Sequence, residues 1–176
     1  MQDLFTYGVM SIPEYQRTYA WDDRQWDDLW SDVFEGLQSK TEHFLGTVVL
    51  RRSGERKPDL LGRDIEVFQV VDGQQRLVTL ELLVLALFEV LRDESLGKGL
   101  WVDFVERDGV GRLELGGANT VFFRDLIKCV GDRQALPESP RVTNHRIRAS
   151  LNFFREKLGA VSQLPGGLVP IFETNG

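Results

Sequence analysis

At 176 residues, with 42% hydrophobic and 27% charged content, the chain is long enough for one domain with a substantial core and has the balance of a globular protein. Its formal net charge of -6 removes any global attraction to nucleic acid or to an anionic membrane, so a DNA contact has to come from a local basic patch or from another domain. A lone cysteine, Cys129, excludes an internal disulfide, and two histidines beside it are too few for a zinc site of the usual kind. The N-terminus lacks the pattern of a signal peptide, and the most apolar run, Leu82 to Phe88, is far too short to span a bilayer. A cytoplasmic protein without membrane attachment is therefore expected.

In chain order, Trp21 to Leu37 reads as a helix, with Trp26, Leu29, Trp30, Val33, Phe34 and Leu37 on one face. Asp22 is its predicted N-cap, with Gln25 three residues on. His43 to Arg51 and Ile65 to Val71 read as strands. Ser53 to Asp64, polar and carrying Gly54, Pro58 and Gly62, reads as the loop between them. Leu77 to Leu91 is apolar nearly all round, the pattern of a helix buried on most sides. The glycine-rich stretch Asp93 to Gly117 contains two candidate short strands, Leu100 to Val105 and Arg112 to Leu115. Helices follow at Asn119 to Val130 and Thr143 to Leu158, separated by a segment with Pro137 and Pro140. Leu168 to Gly176 reads as the start of a further strand-and-turn element. The sum is an α+β domain over 1–160, a small mixed sheet packed with several helices, followed at 161–176 by an element that is expected to be truncated.

Chemistry concentrates at two arginine-bearing segments. Val70-Val71-Asp72-Gly73-Gln74-Gln75-Arg76-Leu77 is an abrupt strand-to-helix corner. Such a corner aims backbone N–H groups at an anion, Gly73 permits a tight turn or close approach, and Arg76 adds a planar fork of donors. The alternative is a helix cap, with Asp72 as N-cap and Gln75 at the third helical position. The other segment is Ile12-Pro13-Glu14-Tyr15-Gln16-Arg17-Thr18-Tyr19-Ala20-Trp21. Arg17 is either a phosphate ligand or part of a buried ion pair that docks the N-terminal arm. Tyr15, Tyr19 and Trp21 are candidates for base stacking or for the core. No phosphate loop of the G-x-x-x-x-G-K-[ST] type, no G-x-G-x-x-G, no nucleophile elbow and no H-E-x-x-H is present. On the last helix Arg141, His145, Arg148, Asn152 and Arg155 form a basic stripe beside the apolar face, read either as a phosphate or DNA contact or as a solvated face.

In combination, these two segments resemble the N-terminal domain of GmrSD-type, modification-dependent restriction enzymes, over roughly residues 5 to 160. His43-Phe44-Leu45-Gly46 looks like that family's Phe-Leu-Gly strand, and Asn144 to Leu158 like its later helix. The Asp72–Arg76 box is also similar to the phosphate-binding arginine motif of ParB-like nucleotide-binding domains. The resemblance implies a ParB-like fold that binds and hydrolyses a nucleoside triphosphate with a divalent cation, magnesium being the expected one. It also implies control of a DNA restriction activity in phage defence. On it, Arg17, Gln16, Gly73, Gln74, Arg76, Asn144 and Arg148 would bind the nucleotide. Asp72, Gln75 and Arg76 would be catalytic, with Asp72 on the metal. DNA would be met indirectly or through a separate nuclease domain, because the two histidines, His43 and His145, make no nuclease motif. A non-catalytic module sensing nucleotide or DNA is the alternative, and self-association into a homodimer stays open.

Overall fold

The computed structural model describes residues 8–39, 45–91, 95–139 and 141–162. Among them are five α-helices and a four-stranded mixed sheet. In chain order the elements are β1 (Val9–Ile12), α1 (Asp23–Ser39), β2 (Val49–Pro58), β3 (Asp64–Asp72), α2 (Gln74–Leu91) and α3 (Ser95–Leu100). A π-helical turn (Trp101–Val105), the small hairpin β4 (Glu106–Arg107) and β5 (Val110–Gly111), and β6 (Leu113–Leu115) follow. A 3-10 turn (Gly117–Asn119), α4 (Thr120–Gly131) and α5 (Val142–Ser162) complete the described chain.

The sheet order is β2-β3-β1-β6. β1 lies between β3 and β6 and runs parallel to both, while β2 and β3 form an antiparallel ribbon. α2 fills the centre of the core. Leu77, Leu82, Leu85 and Ala86 are inaccessible, as the all-round apolar pattern requires, and α5 packs along it with Ile147, Leu151, Phe154 and Leu158. The predicted helices at 21–37, 77–91, 119–130 and 143–158 and the strand at 65–71 all form, each within a few residues of its expected limits.

Three expectations are corrected. The segment 53–64 is not a loop: β2 continues to Pro58, opposite Asp64, and only Asp59–Arg63 turns. Along β2 most side chains are exposed or half-buried, so the apolar alternation that marks a half-buried strand is missing. The turn is set by Asp59, whose Oδ1 accepts the N–H groups of Leu61 (2.9 Å) and Arg63 (2.8 Å) and whose Oδ2 accepts Nε of Arg63 (2.6 Å). The strand predicted from His43 starts later, at Val49, with His43 and Phe44 outside the described residues. Leu100 to Val105 is helical rather than extended, with Trp101 tilted against Phe88 at 4.6 Å. A short apolar run does not discriminate the two states by itself. Conversely, β1 gave no sequence signal; four residues are too few for a period, although Val9, Met10 and Ile12 are buried.

Candidate functional site

The parallel strands β1, β3 and β6 end on one edge of the sheet, at Ile12, Asp72 and Leu115. In open α/β sheets this carboxyl edge is where ligands bind. Three connections leave it: the arm that follows β1, the Gly73 corner into α2, and the Gly116–Gly117 corner into α4.

At the α2 corner Gly73 takes φ +89°, and its carbonyl accepts the Leu77 N–H at 3.0 Å, the first helical bond. Gly73 thus occupies the N-cap position, and Asp72 is the exposed last residue of β3. The expected Asp72–Gln75 capping box is not the arrangement at this corner, because Gln75 faces the arm. Its Oε1 accepts the Ala20 N–H (2.7 Å) and its Nε2 donates to the Thr18 carbonyl (3.1 Å). Gln74 Nε2 donates to the Arg17 carbonyl (2.8 Å), and Gln16 Nε2 reaches back to the Val70 carbonyl (2.6 Å). From α5, Arg146 Nη1 donates to the Ala20 carbonyl (3.1 Å). Beneath, the buried Tyr19 hydroxyl meets Thr79 Oγ1 (2.8 Å), Ser150 Oγ (3.3 Å) and Trp26 Nε1 (2.8 Å). Burial raises the Tyr19 hydroxyl above its ordinary value against the opposing effect of these hydrogen bonds, so the phenol stays neutral. The two segments, separated by more than fifty residues, are therefore the two halves of one hydrogen-bonded unit.

This arrangement leaves the charged groups to face solvent. Arg17 is exposed, and its guanidinium has no bonded partner among the described residues, so it is not a buried ion pair. Arg76 is half-buried, with Nη1 donating to the Thr47 carbonyl at 3.0 Å. Gly46 at φ +93° lies against that guanidinium; a Cβ there would stand 2.5 Å from Cζ. Arg76 is held in place by backbone and still has N–H donors to offer. Both arginines line one open cleft of about 320 Å³, together with Gln16, Trp21, Asp72 and Gln74. On the other side of the arm a hollow of about 170 Å³ shares Arg17 and Gln74 and adds Glu14, Gly116, Gly117 and Asn119.

The family model for the GmrSD restriction endonuclease N-terminal domain matches residues 1–167. The chain belongs to this family. No curated protein matches it. A GmrSD N-terminal domain is a component of restriction, a defence against foreign DNA.

Within this GmrSD domain, Asp72, Gly73, Gln74, Gln75 and Arg76 come together with Gln16 and Arg17. Asn144 and Arg148 do not line either hollow. Asn144 is buried on α5 with Oδ1 unpartnered, and Arg148 Nη1 points to the Pro137 carbonyl at 3.4 Å. Elsewhere on the basic stripe Arg155 is held by Glu89 through Nε and Nη2, both at 2.6 Å. Sequence reasoning passed over Gly116–Asn119 and Arg146. The first had a signal: a glycine pair between a short strand and a helix repeats the strand–glycine–helix layout of the Gly73 corner. Arg146 had none, since its partner lies 126 residues away. Among the described residues no group of three or more His, Cys, Asp or Glu is placed to hold a metal ion, and no helix is long and apolar enough to cross a membrane.

Proposed function

We propose that this domain binds a nucleoside triphosphate with a divalent cation in the cleft between the arm and the Asp72–Arg76 corner, hydrolyses it, and thereby controls the DNA-directed activity of a restriction system. The observation that carries the reading is the convergence of Arg17 and Arg76 on one open cleft at the start of α2. Phosphoryl transfer asks a protein mainly to position phosphates and neutralise their charge. Arg76, fixed by Thr47 and Gly46, is preorganised for one phosphate, and Arg17 is free to close on another. The unpaired N–H groups of the first turn of α2 add to this. Trp21, partly buried at the cleft wall, offers a ring face for a base.

The residues fit a magnesium–nucleotide. Magnesium is commonly held by one or two carboxylates together with substrate phosphates and waters. Asp72 is exposed at the cleft and supplies one such carboxylate. The bound cation would offset charge on the phosphates. Asp72 would then hold the cation and orient water, while Gln75, with both amide ends on the arm, keeps Arg17 in register. The domain would work in the cytoplasm and meet DNA through a separate nuclease domain.

A second reading, sensing without turnover, is favoured by one observation: the Nε2 groups of Gln16, Gln74 and Gln75 are taken up by backbone carbonyls, and Asp72 is the acidic side chain lining the cleft. Titration of the full chain with the four common triphosphates and magnesium, followed by assay of released phosphate, separates the two. Slow release that is lost in Asp72→Asn while binding persists supports turnover. Binding without release supports sensing. A folded wild type that binds none of the four overturns both for nucleotides.

A further inference from the structure

We infer that the opposite edge of the sheet carries a second anion site, built on Arg112 and suited to a small, singly charged oxyanion such as monobasic phosphate or a carboxylate. Gly8, Asp64 and Arg112 stand at the amino ends of the three parallel strands, across the sheet from the arginine cleft. A hollow of about 760 Å³ opens there, with Arg63, Arg107 and Arg112 among its walls.

Arg112 is the anomaly. It is 5% exposed, and its Nε and Nη2 are buried without a hydrogen-bond partner. Its backbone is fixed, with the N–H donating to the Val105 carbonyl (2.8 Å) and the carbonyl accepting the Met10 N–H (2.8 Å), which anchors its Cα beside β1. Buried, unpaired charged donors are among the most destabilising arrangements in a protein. Nearby carboxylates do not pair with it: Asp108 is bonded to Arg63, and Glu66 sits 3.4 Å from Arg52. Burial first, and then the charge of Arg107, hold the Arg112 guanidinium below its ordinary value, against the opposing pull of Asp103 and Asp108 nearby. Two guanidinium groups around one hollow, one with its donors unsatisfied, complement an oxyanion.

The wall is rigid. Asp108 (φ +50°) and Gly109 (φ +74°) make a tight turn between β4 and β5, and the Asp108 carbonyl accepts the Leu60 N–H at 2.9 Å, locking the hairpin to the β2–β3 turn. Arg107 is half-exposed and only loosely paired, 3.7 Å from Asp103, so it can turn inward. Asp64, Glu66 and Asp108 also line the hollow and would repel a polyanion, which favours a single charge and welcomes hydroxyl or ammonium donors on the ligand.

Thermal unfolding of the full chain in sodium phosphate, sodium acetate and sodium chloride at matched ionic strength tests the site. The unfolding midpoint should rise saturably with phosphate or acetate beyond the chloride control; saturation by phosphate alone assigns a phosphate ligand, and saturation by both assigns the wider oxyanion class. A saturable response should persist in the double variant Arg17→Ala, Arg76→Ala, which takes away any phosphate held in the arm cleft. In that background Arg107→Gln should weaken the response about tenfold, and Arg112→Met should abolish it while raising the midpoint in chloride. If phosphate and acetate act only as chloride does, the inference falls. It also falls if Arg107→Gln responds normally, or if the response vanishes with Arg17 and Arg76. Should Arg112→Met fail to fold, the Arg107→Gln result decides.

Discussion

Asp-x-x-Gln occurs at two helix starts in this chain, and the two corners use it differently. At α1, Asp22 Oδ1 accepts the Arg24 N–H (3.2 Å) and the Asp22 N–H donates to Gln25 Oε1 (3.0 Å), a reciprocal box closed on itself. At α2 a glycine sits between the aspartate and the helix and takes the N-cap position, so the same two side-chain types are released. Gln75 turns outward to hold residues 18 and 20, and Asp72 is left in the open cleft. One motif therefore serves local helix stability, and its counterpart serves long-range assembly and leaves a carboxylate available to a ligand.

The contrast extends along the helices behind these corners. α1 presents Asp27, Asp28 and Asp32 to solvent, whereas α2 buries Glu81 completely with both oxygens unpartnered. Burial pushes the Glu81 carboxyl well above its ordinary value. The folded protein then keeps a proton that the unfolded chain releases above about pH 4.3, so stability falls as pH rises from there to the folded value. Glu81→Gln should remove that fall, which approaches about 1.4 kcal/mol per pH unit within the window. Urea unfolding of both proteins from pH 4 to pH 8 checks this. Parallel curves for the two would contradict it.

Closer to the corners, Gln75→Ala should destabilise by about 1–3 kcal/mol, because it strands the part-buried Ala20 N–H and gives the exposed Thr18 carbonyl back to water. Gln25→Ala, which loosens only a local box, should cost about 0.5–1 kcal/mol. Equal losses in denaturant titrations would mean that the arm is not held as described. Gly73→Ala should cost about 1–3 kcal/mol from φ +89°, with the new Cβ 3.1 Å from the Thr47 carbonyl oxygen. The smallest and sharpest contrast is between the aspartates. Asp22→Ala should lose about 1 kcal/mol, whereas Asp72→Ala should stay within about 0.5 kcal/mol of wild type. A large loss for Asp72→Ala would restore its role as a cap.

Much of this was legible in the sequence where the signal is local. The helices announced themselves by apolar spacing, and β3 by a run of alternating and β-branched residues. The Asp22 box was readable because all its atoms lie within four residues. The Asp72 box misled because the sequence does not say whether glycine will carry the turn. The ribbon at 49–58 and the strand at 9–12 were hidden for opposite reasons, the one too exposed for periodicity and the other too short. At the site, residue types suggested an anion, and the pairing of motifs suggested that they meet. That Gln74 and Gln75 hold the arm while Arg17 stays free depends on contacts over more than fifty residues, which no spacing rule reaches.

The central claim is that Arg17 and Arg76 act together on one phosphate group or on adjacent ones. A calorimetric double-mutant cycle measures this directly, using Arg17→Ala, Arg76→Ala and the double variant, each titrated with a magnesium–triphosphate. Charge-assisted bonds of about 1.5–3 kcal/mol predict a loss of roughly ten- to a hundred-fold in affinity for each single variant. The double variant should lose less than the product of the two, with unfolding midpoints near wild type throughout. Full affinity in Arg76→Ala together with a markedly lower midpoint would contradict the account and make Arg76 a structural clasp for the 46–47 backbone.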